Sequence, residues 1–501
     1  MKKGSITVFL ALTLCVITSL IFVAIDSARY SCGRAYVSLS ADEGLMSLFG
    51  EYDRIIYENY GLLMVDAGYG TGSLKMGALA EEVTDVMEKV LSPGTVFSSS
   101  SNLFRADIDS KSITAYTLAT DSGSAMLKEQ IREIMELRLG EDVINAMYAS
   151  FSDSSSLAET AEKSNSSNLE EVKAQYEAEK AKAEEAAAAA AAASQDASGT
   201  ENTGDAAEEG EETQASLPDD FENPVDQIYT IYRLGLMGVC LPDVSAVSPA
   251  SLGDIKMASD RENAAGIGEM PEDESKITDS FTFARYILDY FPNFLSDGST
   301  SGLKYQAEYA IAGKTTDVDN LKTVLNRIAL IREGINLAYL YTDPQKKAEI
   351  ESVVMIVCSF FLLPELTEAV TALVLAGWAY AESLMDIKIL LAGGKVPILK
   401  DDSTWKLSLS NLSALFSDAS QYSSGSGLSY EDYLCILLML KGSDSLMTGI
   451  MDLIEYNRRV IGNEPSFSIK TCLCSLELQV EGCIADHQYT LKRSYGYDIY
   501  S

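Results

Sequence analysis

Histidine is almost absent from this 501-residue chain, where His487 stands alone. Multi-histidine metal centres and Ser-His-Asp relays therefore have almost no material from which to be built. Basic residues are also scarce, with 38 lysines and arginines against 74 aspartates and glutamates. The resulting formal net charge of −36 excludes nucleic acid as a partner, because phosphate binding needs concentrated lysine and arginine. Cysteine is too sparse for a disulfide-stapled fold. Of eight, Cys15 lies in an apolar run and seven follow it: Cys32, Cys240, Cys358, Cys435, Cys472, Cys474 and Cys483. An odd number leaves at least one thiol unpaired or bonded to another chain. What the chain does have is an apolar fraction of 47%, enough for real cores, so disorder throughout is excluded.

The N-terminus carries the plainest signal. Met1-Lys2-Lys3 is a short cationic tip, and Ser5–Ala24 is an uncharged apolar run. At roughly 1.5 Å per residue that run crosses a hydrocarbon core of about 30 Å. It is longer than the apolar region of a cleaved secretory signal, and no clean small-x-small site follows before Asp26. The expectation is a single-pass helix in the lipid bilayer. Lys2 and Lys3 place the N-terminus in the cytoplasm by the positive-inside tendency, with the bulk of the chain extracytoplasmic.

Beyond the run, Ile25, Ala28, Cys32, Ala35, Leu39, Met46 and Phe49 continue at three- and four-residue steps, so one long helix emerges from the membrane. Gly61 stops a helix, and Leu62–Val65 reads as a short buried strand. A second helix covers Leu74–Leu91. Phe104, Ala106, Ile108 and then Ile113, Ala115, Thr117 alternate as a pair of strands. A third helix carries Leu127, Ile131, Ile134, Val143, Ile144 and Met147.

Residues 152–220 turn to Ser, Ala, Glu and Gly, with an alanine run at Ala186–Ala193. The first half suits an exposed helix and the second, Ser194–Asp220, disorder. Whether this stretch links two domains or interrupts one stays open. Downstream, helices are expected over Val225–Val239, Phe281–Phe291, Leu303–Ile311, Asn320–Leu340, Ala348–Leu391 and Tyr430–Ile461. Pro364, Glu365 and Glu368 divide the most apolar of these into pieces too short to span, which favours a packed core over a second membrane segment. The chain ends in a β-hairpin, with Cys472–Val480 alternating out, a turn at Glu481-Gly482, and Cys483–Leu491 alternating back. The fold class is therefore α+β, mainly helical. Its parts are a tip and anchor (1–24), an extracytoplasmic α/β region (25–151), the acidic linker or insertion (152–220) and a mainly helical domain with the terminal hairpin (221–501).

Three groups of residues could carry chemistry. Asp66, Gly68, Gly70 and Gly72 form a glycine-rich turn between a strand and a helix, the pattern that brings backbone amides to a nucleotide or S-adenosylmethionine. The acidic residue expected about 20 residues later is missing, since Val90–Gly94 stands there, and a plain loop is the competing reading. Cys472, Cys474, Cys483 and His487 share one face of the expected hairpin and supply zinc-ligand types. That face is also the apolar one, which suits buried thiols. Glu382 and Asp386, four apart on a helix, make either an acid pair or a structural pair with a base such as Arg327 or Arg332. No catalytic residue, bound cofactor or metal is assigned.

The stretch from Lys3-Gly4 through Ser5–Ala24 to Asp26-Ser27-Ala28-Arg29-Tyr30 and Ser40-Ala41-Asp42 resembles minor pseudopilin-like proteins of tight-adherence (Tad) pilus systems. A larger part resembles a Gram-positive bacterial membrane-protein family, a domain of unknown function associated with such systems. The matching residues are Gly4–Leu10, Tyr60-Gly61-Leu62, Ala307-Glu308-Tyr309 to Gly313, Ala376-Gly377-Trp378-Ala379 through Glu382, and Gly394–Pro397. Pilins are cut after a glycine and carry Glu at the fifth mature position, where a cut after Gly4 would place Phe9. The resemblances imply a non-enzymatic, membrane-retained accessory component with other membrane or pilus-assembly proteins as partners. The alternative is a membrane-tethered enzyme using the Gly68–Gly72 loop.

Overall fold

The computed structural model describes residues 3–92, 106–163, 223–241, 243, 246–296, 302–360, 367–418, 422 and 426–497. Phe104, Pro364, Glu365 and most of the acidic stretch, 164–222, lie outside them. The chain divides into two units, each assembled from separated segments: Met1–Glu141 with Asp254–Tyr286 and Ser443–Ser501, and Asp142–Gly253 with Ile287–Gly442. The fold is α+β and mainly helical, as its sequence implies.

The first unit begins with α1 (Lys3–Phe49), a 47-residue helix. Its segment from Ile6 is long and apolar enough to cross a membrane, and none of its most apolar stretch is buried. Within that stretch Thr13 and Thr18 donate back to the carbonyls of Phe9 and Leu14, so their hydroxyls place no unpaired donor against an apolar surrounding. Past Ala28 the helix becomes one-sided. Gly33, Val37, Ala41, Gly44, Leu45 and Leu48 are buried, while Ala28, Cys32, Ala35, Leu39 and Met46 face outward. The apolar stripe most visible in the sequence is thus not the one that packs inward, apart from Phe49. The two stripes coexist because both sides of the helix carry small and apolar residues.

Asp53 caps α2 (Arg54–Tyr60) by accepting from the Ile56 amide, and Gly61, in the left-handed conformation, ends it. Of the expected strand only β1 (Val65–Asp66) forms, followed by α3 (Met76–Leu91). The expected strand pair is one strand, β2 (Ala106–Leu118), because register shifts at Ile108/Ser110 and Ile113/Ala115 absorb the polar residues that suggested a turn. The expected third helix is two: α4 (Ala125–Leu139) stops at Gly140, whose φ is 85°, and α5 occupies 141–163. The unit closes with α13 (Ser443–Ile461) and the hairpin of β3 (Cys472–Ile484) and β4 (His487–Gly496). The central strand β3 has β2 along one edge and both β1 and β4 along the other, all antiparallel.

The hairpin turns at Ala485-Asp486, not at Glu481-Gly482. Ile484 pairs with His487, and Ala485 takes a φ of 54°. Gly482 instead serves a close approach, since a Cβ there would overlap the Asp107 carbonyl oxygen of β2. Leu476, Leu478, Val480 and Leu491 of the sheet pack with Val37, Ala41, Leu45 and Leu48 of α1 and Val83 and Met87 of α3 in one core. Arg132 of α4 holds Asp279, the first residue of α7 (Asp279–Tyr290), with two parallel hydrogen bonds of 2.9 and 2.8 Å.

In the second unit, α6 (Pro224–Cys240), α9 (Asp317–Thr342) and α10 (Pro344–Phe360) pack around α11 (Thr367–Leu391). Helix α11 is long and apolar enough to cross a membrane, but 72% of its most apolar window is buried inside the protein. Gly377 is the contact point with α6, where a Cβ would collide with the Ile228 side chain. The short α8 (Gln306–Ala312) and α12 (Tyr430–Met439) complete the unit. The expected helix Tyr430–Ile461 is α12 and α13, separated at Gly442, whose φ is 83°.

Candidate functional site

The glycine-rich loop sits in the first unit between β1 and α3. Its amides point inward. Asp66 Oδ1 accepts from Gly68 N at 2.8 Å and Oδ2 from Gly70 N at 2.6 Å, while the Thr471 hydroxyl donates to Oδ1 at 3.2 Å. The Tyr69, Thr71 and Lys75 amides donate to the carbonyls of Asp66, Gly68 and Ala67. A phosphate would have to displace this carboxylate from the very donors it needs. The strand before the loop also runs antiparallel to its neighbour, whereas the nucleotide-binding pattern is a parallel βαβ unit.

Glycine is required here for backbone reasons. Gly72 has a φ of 69°, and a Cβ on it would lie 2.6 Å from the Ser466 carbonyl oxygen. Gly72→Ala is therefore expected to destabilise the chain by about 1–3 kcal/mol, the usual cost of a strained left-handed residue plus an overpacked contact. A denaturant-unfolding midpoint unchanged by this substitution would show that the loop is not packed as described.

Beside the loop lies a cleft of about 350 Å³ lined by Glu51, Asp53, Asp66, Tyr69, Glu82, Arg458 and Glu464, among others. Its lining sets Glu51, Asp53, Asp66, Glu82 and Glu464 against Arg54 and Arg458, and several of these groups bond to one another. Arg458 donates to Asp53 at 2.6 Å and to Glu464 at 3.2 Å, and the Tyr69 hydroxyl donates to Glu82 at 2.6 Å. Partial burial, then the adjacent Glu82 charge, pushes the Glu51 carboxyl upward. Burial and the same glutamate push the Tyr69 hydroxyl well up. The cleft holds hydrogen-bonded carboxylates and a phenol that burial and Glu82 keep protonated.

The hairpin does not assemble its four candidate metal ligands. Cys483 pairs with Gln488, so it faces away from Cys472, Cys474 and His487, and its thiol donates to Asp109 at 3.6 Å. Cys472 and Cys474 are fully buried at the start of β3. His487 lies opposite Ile484, ten residues and about 33 Å of strand from Cys474, and its Nε2 is 2.8 Å from Asp26 Oδ2. Zinc–sulfur bonds are about 2.3 Å long, so one ion cannot reach across. No group of three or more His, Cys, Asp or Glu side chains that could hold a metal occurs among the described residues.

Glu382 and Asp386 do meet, in the second unit, and their setting is structural. Asp386 Oδ2 accepts from Arg332 Nε at 2.9 Å and Oδ1 from Lys400 Nζ at 2.6 Å, while Glu382 Oε1 accepts from Lys400 at 2.7 Å. The Lys406 and Leu407 amides complete Glu382 at 2.8 and 2.9 Å. Arg332 also donates to the Pro397 and Ile398 carbonyls, at 3.1 and 2.8 Å. Burial raises both carboxyls. At Asp386 the two cations outweigh it and hold the group below its ordinary value, whereas at Glu382 burial and the Asp386 charge prevail over Lys400. Arg327, the other basic partner the sequence allows, pairs instead with Glu162 at 2.8 Å.

Two members of this second unit were not visible as such in the sequence. Lys400 comes from a loop with no periodic pattern to place it. Glu308, on α8, which is buried from Gln306 to Ile311, accepts from the Phe294 amide at 2.9 Å and the Tyr430 hydroxyl at 2.8 Å through Oε1. Its Oε2 has no partner among the described residues. Burial, only partly offset by those two donors, raises this carboxyl to about 7. Helix α12 reaches both places: Tyr430 donates to Glu308, and the Tyr433 hydroxyl accepts from Arg332 of the cluster.

A family model, described as a family of unknown function (DUF5702), matches residues 214–484. The chain belongs to this family. The match covers a little over half of the sequence and includes the whole Arg332–Glu382–Asp386–Lys400 cluster and Glu308. No curated protein and no solved structure matches the chain. The DUF5702 region ends at Ile484, the last residue of β3, so it takes in the central strand of the sheet but not β4.

Proposed function

We propose that this DUF5702 protein is a non-enzymatic, single-pass membrane protein that serves as an accessory component of a bacterial surface or pilus-like assembly. The observation that carries this reading is the division of α1. Its first half is apolar and exposed on all sides, and its second half forms one wall of the sheet's core. A helix built this way fixes the sheet at the surface of the bilayer. Lys2 and Lys3 favour a cytoplasmic N-terminus and an extracytoplasmic bulk. The commitment of the Gly68 and Gly70 amides to the Asp66 carboxylate supports the non-enzymatic reading over a tethered nucleotide or S-adenosylmethionine enzyme.

Removing residues 1–25 is expected to move the protein from the membrane pellet to the supernatant while leaving the sheet folded. Persistence in the carbonate-washed pellet would contradict the anchor. The assembly role is tested separately by deleting the gene and measuring surface pilus display and adhesion. Unchanged values for both would remove that role and leave the anchor standing.

A further inference from the structure

The outward stripe of α1 has no partner among the described residues. Leu14, Thr18, Ile21, Ile25, Ala28, Cys32, Ala35 and Leu39 follow alternating steps of four and three residues, a heptad seam sustained for nearly four repeats. Every one of these residues is exposed, Leu39 with 52% of its surface free. The opposite side of the same helix carries Val37, Ala41 and Leu48 into the core, so the seam points directly away from the sheet. Asp42, the next seam position, is 3.3 Å from Arg493 of its own chain and ends the apolar run.

We propose that α1 pairs along this seam with α1 of a second copy of the chain, as a parallel two-stranded coil that starts in the membrane and continues beyond it to about Leu39. The proposal rests on the membrane anchoring in the preceding section and not on any role in pilus assembly.

The occupant follows from the seam itself. Its membrane part and its extramembrane part are one continuous stripe, so a helix covering both must enter the bilayer at the same depth and in the same direction. A second copy, inserted by the same N-terminus, meets that requirement without adjustment. A heptad seam also needs a partner with the same repeat in the same register, which identical helices have by symmetry. Ala28 and Ala35 let the backbones approach closely. Thr18 donates to the Leu14 carbonyl within its own helix and so brings no unpaired donor into the contact. In the parallel arrangement the flanking pairs are Ala24 with Arg29, Ser31 with Tyr36 and Ser38 with Glu43, none of them like-charged.

Cys32 lies on the seam and is exposed, whereas Cys240, Cys358, Cys435, Cys472 and Cys474 are buried. It therefore reports on the contact. In membranes containing the full chain, copper–phenanthroline with dissolved dioxygen as electron acceptor is expected to convert two Cys32 thiols into an intermolecular disulfide, the electrons reducing dioxygen to water. In a Cys15→Ser, Cys32→Ser background, Ala28→Cys, Ala35→Cys and Leu39→Cys should each restore the cross-linked dimer. Ser27→Cys and Arg34→Cys, exposed but roughly 110° and 130° around the helix from the seam at 100° per residue, should give about tenfold less. All five positions are exposed, so none of these substitutions disturbs the core. Equal cross-linking at all five, or none at any in protein that still pellets with the membrane, overturns the pairing. Protein found in the supernatant would instead overturn the anchor on which the pairing rests.

Discussion

Arg332→Leu is expected to lower the stability of the chain by about 3–5 kcal/mol, the cost of breaking a buried ion pair from one side. Glu382, Asp386 and Arg332 are all fully buried, and Lys400 is nearly so. With the guanidinium present, two carboxylates face two cations. Without it, Lys400 alone must balance both acids, and the Pro397 and Ile398 carbonyls lose the donor they share. Arg332→Lys keeps the charge but cannot reach Asp386, two carbonyls and Tyr433 at once, so it should fall between Leu and wild type. Because the lost donors fix residues 397–407 to α9 and α11, limited proteolysis should cut that loop first in the Leu variant. Denaturant midpoints measure the effect. A loss below about 1 kcal/mol would mean that the cluster is solvated and not the buried clamp described here.

How much of this could be read from the sequence varied with the kind of signal. The α1 span, α3, the helical C-terminal half and the terminal hairpin were legible because long periodic runs leave little choice of structure. The errors fall where one local signal had two explanations. Asp109 to Ser112 look like a turn, yet a register shift lets them stay inside β2. Glu481-Gly482 looks like a two-residue hairpin turn, but that glycine answers to the neighbouring strand β2, which no local pattern shows. Along α1 the sequence shows that the helix continues but not which side packs, because both stripes are apolar and only the position of the sheet distinguishes them.

At the candidate sites, legibility stopped at pairing. Two carboxylates four apart on α11 were visible, as was Arg332 as a possible partner. Lys400 was not, because a cation in an aperiodic loop announces nothing about where the loop docks. The glycine loop was visible as a motif, but its meaning depended on which atoms the amides face. Asp66, which looked like part of a ligand site, is the internal acceptor that closes it.

Glu308 makes the stability of the chain fall as the pH rises from about 4.5 to about 7. An unfolded glutamate loses its proton near 4.5, whereas burial on α8 holds that proton in the folded state up to about 7. The folded state therefore binds more protons than the unfolded state in this window, and its contribution, complete below 4.5, is lost as the pH passes through 7. The full difference is on the order of 3 kcal/mol, from about 1.4 kcal/mol per unit. The groups around it explain why nothing else compensates. Tyr430 and the Phe294 amide both donate to Oε1, Oε2 has no partner among the described residues, and the nearby charge is that of Asp317, which opposes ionisation. Asp317 itself accepts from the Lys304 and Tyr305 amides at 2.9 and 3.2 Å. Glu308→Gln keeps the Oε1 acceptor and removes the titration. Thermal unfolding of detergent-solubilised protein at pH 5 and pH 8 should show the wild type losing stability between the two. The Gln variant should lose markedly less, and be the more stable of the pair at pH 8. Parallel pH profiles for the two proteins would show that Glu308 ionises in the folded state as it does in water.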